Sequence, residues 1–122
     1  MVKIKVGKKS NSIIKLNIEG HAGFADKGKD IVCASISSIA IGLLNSIDIL
    51  DNQSCKIICS DNRINVEVID HNDDMIQIIL QVGIIQLQTV EEVYPNYLKI
   101  EFTVLNNFGY FCVNIKTAHI IL

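Results

Sequence analysis

Residues 12–50, SIIKLNIEGHAGFADKGKDIVCASISSIAIGLLNSIDIL, change their periodicity twice, and those changes decide the fold class. Ile14, Leu16 and Ile18 alternate with Lys15, Asn17 and Glu19 up to Gly20, the period of two expected of a half-buried strand. Residues 20–30, GHAGFADKGKD, hold three glycines and no period at all. Such a stretch is too long for a tight turn, and long ordered loops in small domains are usually functional. Asp30 is a good N-cap residue, and Ile36, Ile39, Ala40, Leu43, Leu44, Ile47 and Leu50 then follow helical spacing, which predicts a helix over 31–50. The other side of that helix shows Ala34, Ser35, Ser38 and Gly42, small groups that let another element or subunit approach closely.

The flanks repeat the pattern. Residues 2–7, VKIKVG, alternate as a first strand, and the polar stretch from Gly7 to Ser12 reads as the turn of a hairpin. Cys55, Ile57 and Cys59, then Ile64, Val66 and Val68, form a second hairpin about the turn at 60–63. Residues 71–74, HNDD, read as an Asn72 cap followed by two acids, placing a second helix from there to about Val93, before Tyr94 and Pro95. Leu98, Ile100 and Phe102 alternate in a final strand. The order ββ-α-ββ-α-β predicts an α+β fold, an antiparallel or mixed sheet of about five strands with two helices packed on it. Residues 1–103 form a single domain. The extension 104–122 stays open between a hairpin around residues 106–109, an interface segment and a poorly ordered tail; its apolar, charge-poor make-up is an aggregation hazard if exposed.

Length and composition narrow the class. The 122 residues, 13.5 kDa, are 49% hydrophobic and 20% charged, enough for one core and too apolar for disorder. The net charge of −2 leaves no basic surplus, so direct nucleic-acid binding is not expected. No apolar run approaches the ~18–20 residues of a membrane span, and the N-terminus MVKIKVGKKS is charged where a signal peptide is apolar. A cytoplasmic protein without membrane contact is expected. Cys33, Cys55, Cys59 and Cys112 then read as thiols, with no CxxC pair.

The chemistry concentrates on His21, in the glycine-bearing loop, and Cys33, in the first turn of the first helix, twelve residues apart. Unpaired N–H groups at a helix start favour thiolate over thiol, and an imidazole brought alongside can take the proton and return it to a departing amine. N–H groups near Cys33 are candidates to hold an oxyanion. The bland alternative is a buried thiol that packs as a small hydrophobe.

Residues 20–37, GHAGFADKGKDIVCASIS, closely resemble the signature of the ribosomal-processing cysteine protease family, often called Prp, and the likeness extends through the order of elements and residues 94–97, YPNY, over roughly residues 2–103. The resemblance implies a small α+β homodimer that removes an N-terminal extension from a large-subunit ribosomal protein, the twenty-seventh in standard naming. It puts the nucleophile on Cys33 and the base on His21, with supporting positions at Gly20, Asp30 and Ser37. The loop that moves on substrate binding is then 20–30, with Gly23 and Gly28 as hinges, and no cofactor is implied. Members of the family usually end soon after the strand at 98–103, and this chain does not.

Each supporting residue also has a physical reading. Ser37 lies one helical turn beyond Cys33, placed to orient the loop or bond substrate backbone, or simply to face solvent or a second subunit. Asp30 caps the helix or holds the imidazole in one tautomer. Cys55 and Cys59 share a strand face with Ile57 and read as core, not as zinc ligands. His71 with Asp73 and Asp74 reads as a helix start, and residues 7–10, GKKS, as a hairpin turn; Cys112 and His119 support no assignment. The contending function is a non-catalytic ribosome-associated interaction protein with an inert core thiol at position 33.

Overall fold

The computed structural model describes residues 1–20, 31–106 and 109–113. Strands β1 (Val2–Lys9) and β2 (Ser12–Glu19) are followed by α1 (Ile31–Leu50), β3 (Cys55–Ser60), β4 (Arg63–Val68), α2 (Asp74–Val93), β5 (Leu98–Asn106) and β6 (Gly109–Val113). They form one mixed sheet in the order β3-β4-β2-β1-β5-β6, in which only the interior β1–β5 pair is parallel. The α+β reading holds, with both helices on one face of the sheet. The core lies between them: Val2, Ile4 and Val6 of β1 and Leu98, Ile100 and Phe102 of β5 meet Val32, Ile36 and Leu43 of α1 and Ile76, Leu80 and Leu87 of α2. Burial of these side chains, about 1.5–3 kcal/mol for each Leu, Ile or Phe, holds the layers together.

The first hairpin departs from simple alternation. β1 runs through Gly7 to Lys9, and the turn is confined to Ser10 and Asn11, with Ser10 at φ 55°. Gly7 pairs with Lys15 but Lys8 pairs with Ile13, so Ile14 is an extra residue, a β-bulge. The bulge turns Ile13 into the core and leaves Ile14 half-buried, the reverse of the alternation read from the sequence. Gln77, buried on α2, fixes this local geometry. Its Nε2 donates to the Ile13 carbonyl at 2.8 Å, and its Oε1 accepts from the Ile13 N–H at 2.7 Å. A primary amide replaces the strand that would otherwise satisfy both groups.

α2 begins one residue later than its sequence suggests: Asp73, not Asn72, is the cap, its Oδ1 accepting from the N–H groups of Met75 (3.0 Å) and Ile76 (3.4 Å). It ends as expected, with the Tyr94 N–H donating to the Val90 carbonyl before Pro95. Glu91 reaches from its last turn to accept the Ile100 N–H at 2.7 Å, tying α2 to β5. β5 continues past residue 103 to Asn106 and turns into β6, whose register covers Phe102 to Asn106. The β5–β6 pairing accounts for residues 109–113 of the extension; residues 107–108 and 114–122 lie outside the described residues.

One reading of the helices needs correction. By length and composition α1 is apolar enough to cross a membrane, because its serines and single Asp48 weigh little against its isoleucines and leucines. A core helix passes the same test, and Val32, Ile36, Ala40, Leu43 and Ile47 of α1 are buried against the sheet and α2.

Candidate active site

Cys33 is the third residue of α1, half-buried and packed against the core. A helix start leaves its first N–H groups without intrahelical acceptors, and their dipoles sum to a partial positive charge. The first turn of α1 from Ile31 carries no acidic residue, whereas α2 places Asp74 in its own first turn behind the Asp73 cap; Asp30, read as the α1 cap, lies outside the described residues. The side chain of Ser35 in the same turn is occupied, donating to the Ile31 carbonyl at 2.8 Å. Ser37, one turn further on, is exposed.

Gly20 follows β2 and is the last described residue before residue 31. Its φ is +99°, and a Cβ there would stand 2.7 Å from the Met1 carbonyl oxygen, so conformation and space both demand glycine. Its N–H donates to the Asn62 carbonyl at 3.0 Å, tying it to the β3–β4 turn. The chain thus leaves the sheet toward His21 from a fixed point. His21, Gly23, Gly28 and Asp30 lie outside the described residues.

The remaining cysteines differ from Cys33 in setting. Cys55 packs half-buried at the start of β3, where burial pushes its thiol above the ordinary range despite a hydrogen bond from Ser54 Oγ at 3.6 Å. It is a core thiol, as read from the sequence. Cys59 is not: it is exposed, because β3 is an edge strand and its far end runs into the Asp61–Asn62 turn uncovered. Among the described residues no three His, Cys, Asp or Glu side chains gather as metal ligands would.

A second titratable cluster sits at the opposite end of α1, about 27 Å away at 1.5 Å per residue. Asp51 follows the last turn of α1, and its carboxyl meets that of Asp73, the cap of α2. The hydrogen bond to Asp73, then desolvation, then repulsion between the two charges hold Asp51 above the usual carboxylate range. The enclosed Oδ2 of Asp51 has no hydrogen-bond donor among the described residues.

The groove between the outer sides of α1 and α2, lined by Ser38, Gly42, Leu50, Ile78 and Val82 among others, does not include Cys33. Its α2 side is apolar: Ile78 is 62% exposed and Val82 50%, with Ile85, 56% exposed, at i+7 from Ile78. The small face of α1 noted in the sequence opens here, with nothing described within 4 Å of where a Gly42 Cβ would be. The α2 stripe was legible as apolar residues all round a helix but was not singled out.

Comparison with known proteins bears on this arrangement. The ribosomal processing cysteine protease Prp of Staphylococcus aureus is 34% identical over 87 residues, covering 70% of this chain and 82% of that protein. The protein of the same name from Mycoplasma pneumoniae is 35% identical over 92 residues, covering 71% and 85%. The crystal structure of the essential ribosomal processing protease Prp from S. aureus, in complex with a covalently linked product peptide, superimposes with a TM-score of 0.80 at 28% identity, covering 84% of this chain and 99% of that one. The sequence profile of the family described as cysteine protease Prp matches residues 1–99, which include the strand-to-helix segment that bears Cys33. On that match and the shared fold, the chain belongs to the cysteine protease Prp family.

Proposed function

We propose that this protein is a homodimeric endopeptidase that removes the N-terminal extension of a large-subunit ribosomal protein, the twenty-seventh, with Cys33 as nucleophile and His21 as base. The observation that carries the proposal is the position of Cys33 in the first turn of α1. The solved S. aureus relative with a covalently linked product peptide supports covalent chemistry in the family.

In this mechanism His21 takes the Cys33 proton, and the thiolate Sγ attacks the scissile carbonyl carbon. N–H groups at the start of α1 hold the oxyanion. The C–N bond breaks as the His21 imidazolium protonates the leaving amine, and the acyl group stays on Sγ as a thioester. His21 then deprotonates water, hydroxide attacks the thioester carbonyl, and collapse releases the carboxylate product and Cys33. Gly20 sets the exit of the loop, Gly23 and Gly28 let it close over an extended peptide, Asp30 caps α1 or orients His21, and Ser37 bonds substrate backbone. The chain's own groups suffice, with no cofactor. The apolar side of the α1–α2 groove supports the homodimer, since a second copy seated there would cover Ile78, Val82 and Ile85.

Incubation with the extended ribosomal protein of the same organism tests the reading. The parent should release the extension, and Cys33→Ala and His21→Ala should lose at least about 10³-fold in rate, the scale for removing a member of a catalytic pair. Iodoacetamide should label Cys33 faster than Cys55, Cys59 and Cys112, with His21→Ala slowing it. Cleavage by Cys33→Ala at the parent rate, or equal slow labelling of all four thiols, would favour the inert-thiol interaction protein instead.

A further inference from the structure

The segment that carries His21 begins at a point held from three directions. Glu19 pairs with Arg63 across β2 and β4, and their side chains form an ion pair at 3.1 Å. One residue on, the Gly20 N–H donates to the Asn62 carbonyl at 3.0 Å. The Met1 carbonyl oxygen closes the third side, 2.7 Å from where a Gly20 Cβ would stand. His21 is the next residue, so covalent geometry keeps its Cα about 3.8 Å from that of Gly20 whatever path the chain then takes. The acceptor that holds Gly20 depends on an unusual backbone: Asn62 has φ 61°, and Asn62 and Ser10 are the two non-glycine residues with positive φ among the described residues. Asparagine is one of the few side chains that enters this region at low cost. Because the acceptor is a main-chain carbonyl, no side-chain replacement deletes it; only a change in the turn's conformation redirects it.

The same turn lies at the end and on the side of the molecule where Cys33 points. The loop after α1 meets the end of β4, the Ile69 N–H donating to the Ser54 carbonyl, so α1 finishes at the end of the sheet away from Gly20 and starts, with Cys33, at the Gly20 end. Gly42 of α1 opens into the groove toward α2, and Cys33 precedes it by nine residues, about 2.5 helical turns, which sets the two on opposite sides of α1. α2 leans on β2 and β5 through Gln77 and Glu91, while β4 and β3 extend the sheet beyond β2, away from β5. Cys33 therefore faces the β4–β3 side. We propose that the β3–β4 turn is the positioning element of the base, with left-handed Asn62 holding Gly20 where His21 can exchange a proton with Cys33. The proposal rests on the reading of Cys33 as nucleophile and His21 as base. Proton transfer needs heavy atoms about 2.6–3.2 Å apart, and a misplacement of about 1 Å costs about 100-fold in rate. A loop that closes on substrate meets that tolerance only if its first residue starts from a fixed place, and Asn62 supplies it. Asn62 is a positioning residue: it acts through Gly20 and touches neither thiol nor substrate in this scheme.

A graded series in the full chain tests this, read by cleavage of the extended ribosomal protein and by the pH profile of Cys33 alkylation with iodoacetamide. Asn62→Gly, free to keep the positive φ, should stay within about twofold of the parent in kcat. Asn62→Ala should lose more, and Asn62→Val, whose branched side chain opposes that φ, about 10–100-fold in kcat with KM within about twofold. The alkylation midpoint should move to higher pH in the same order, toward that of His21→Ala, because a displaced imidazole no longer favours the thiolate. Ser10→Val places the same replacement at the other left-handed turn residue, at the far end of β1; it should lower the thermal midpoint as Asn62→Val does and leave kcat and the alkylation profile at parent values. Equal losses for Asn62→Gly and Asn62→Val, parent behaviour of Asn62→Val beside an impaired His21→Ala, or an equal loss of kcat in Ser10→Val would each overturn the positioning role alone. Parent behaviour of His21→Ala in both readouts would overturn the role of His21 as base and the positioning role with it.

Discussion

Replacing Gln77 by leucine should destabilise the protein more than any surface change on α2, for a reason that can be counted. Gln77 is 8% exposed and makes two hydrogen bonds, of 2.7 and 2.8 Å, to the N–H and carbonyl of a single residue 64 positions away. Gln77→Leu keeps the volume but leaves two buried backbone groups without partners at the Ile13 bulge, at about 1–3 kcal/mol each. Greater apolar burial by leucine returns about 1–2 kcal/mol, so the net loss should centre on about 2.5 kcal/mol. Urea unfolding should show the midpoint falling by about 1–2 M at an unchanged slope. Gln77→Glu separates the two bonds: the carboxylate still accepts from the Ile13 N–H but repels the carbonyl, and its protonation in acid should recover part of the loss. A change below about 0.5 kcal/mol for Gln77→Leu would mean that water or a register shift satisfies Ile13, and the clamp argument would be wrong.

Other expectations are shorter to state. Gly20→Ala forces a Cβ against the Met1 carbonyl at a φ of +99°, and should cost about 2–3 kcal/mol in thermal unfolding and lower kcat/KM for peptide cleavage, since the loop leaves the sheet here; unchanged melting and turnover would show that the backbone can relax. Ile78→Glu with Ile85→Glu should leave a folded monomer by sedimentation; a parent already monomeric at high concentration refutes the homodimer. Asp51 holds its proton more tightly folded than unfolded, so the stability it adds is present in acid and fades as pH rises above its ordinary value of 3.8 toward neutrality. Asp51→Asn, which keeps a donor toward Asp73 at every pH, should flatten that slope in melts between about pH 4 and 7. A parallel slope in the variant would place the titration elsewhere.

Much of the fold is legible along the chain because each element buries one face. Period two in β1 and β5, helical spacing in α1, and the Tyr94–Pro95 stop of α2 each name their element locally. The bulge at Ile14 was not legible, since Ile13 and Ile14 are chemically alike and the choice between them is made by Gln77 from another element. Cys33 was legible as a candidate through its place after Asp30, whereas the exposure of Cys59 depended on β3 being an edge strand.

By itself the sequence determined the α+β class, the order of elements and the helix-start cysteine, because hydrophobic period and capping act over a few residues. Only the tertiary structure decided that β1 and β5 pair in parallel, that an amide on α2 holds a bulge, and that β3 is an edge strand. Those are consequences of strand order and register, which join residues by long-range pairing that no local pattern records.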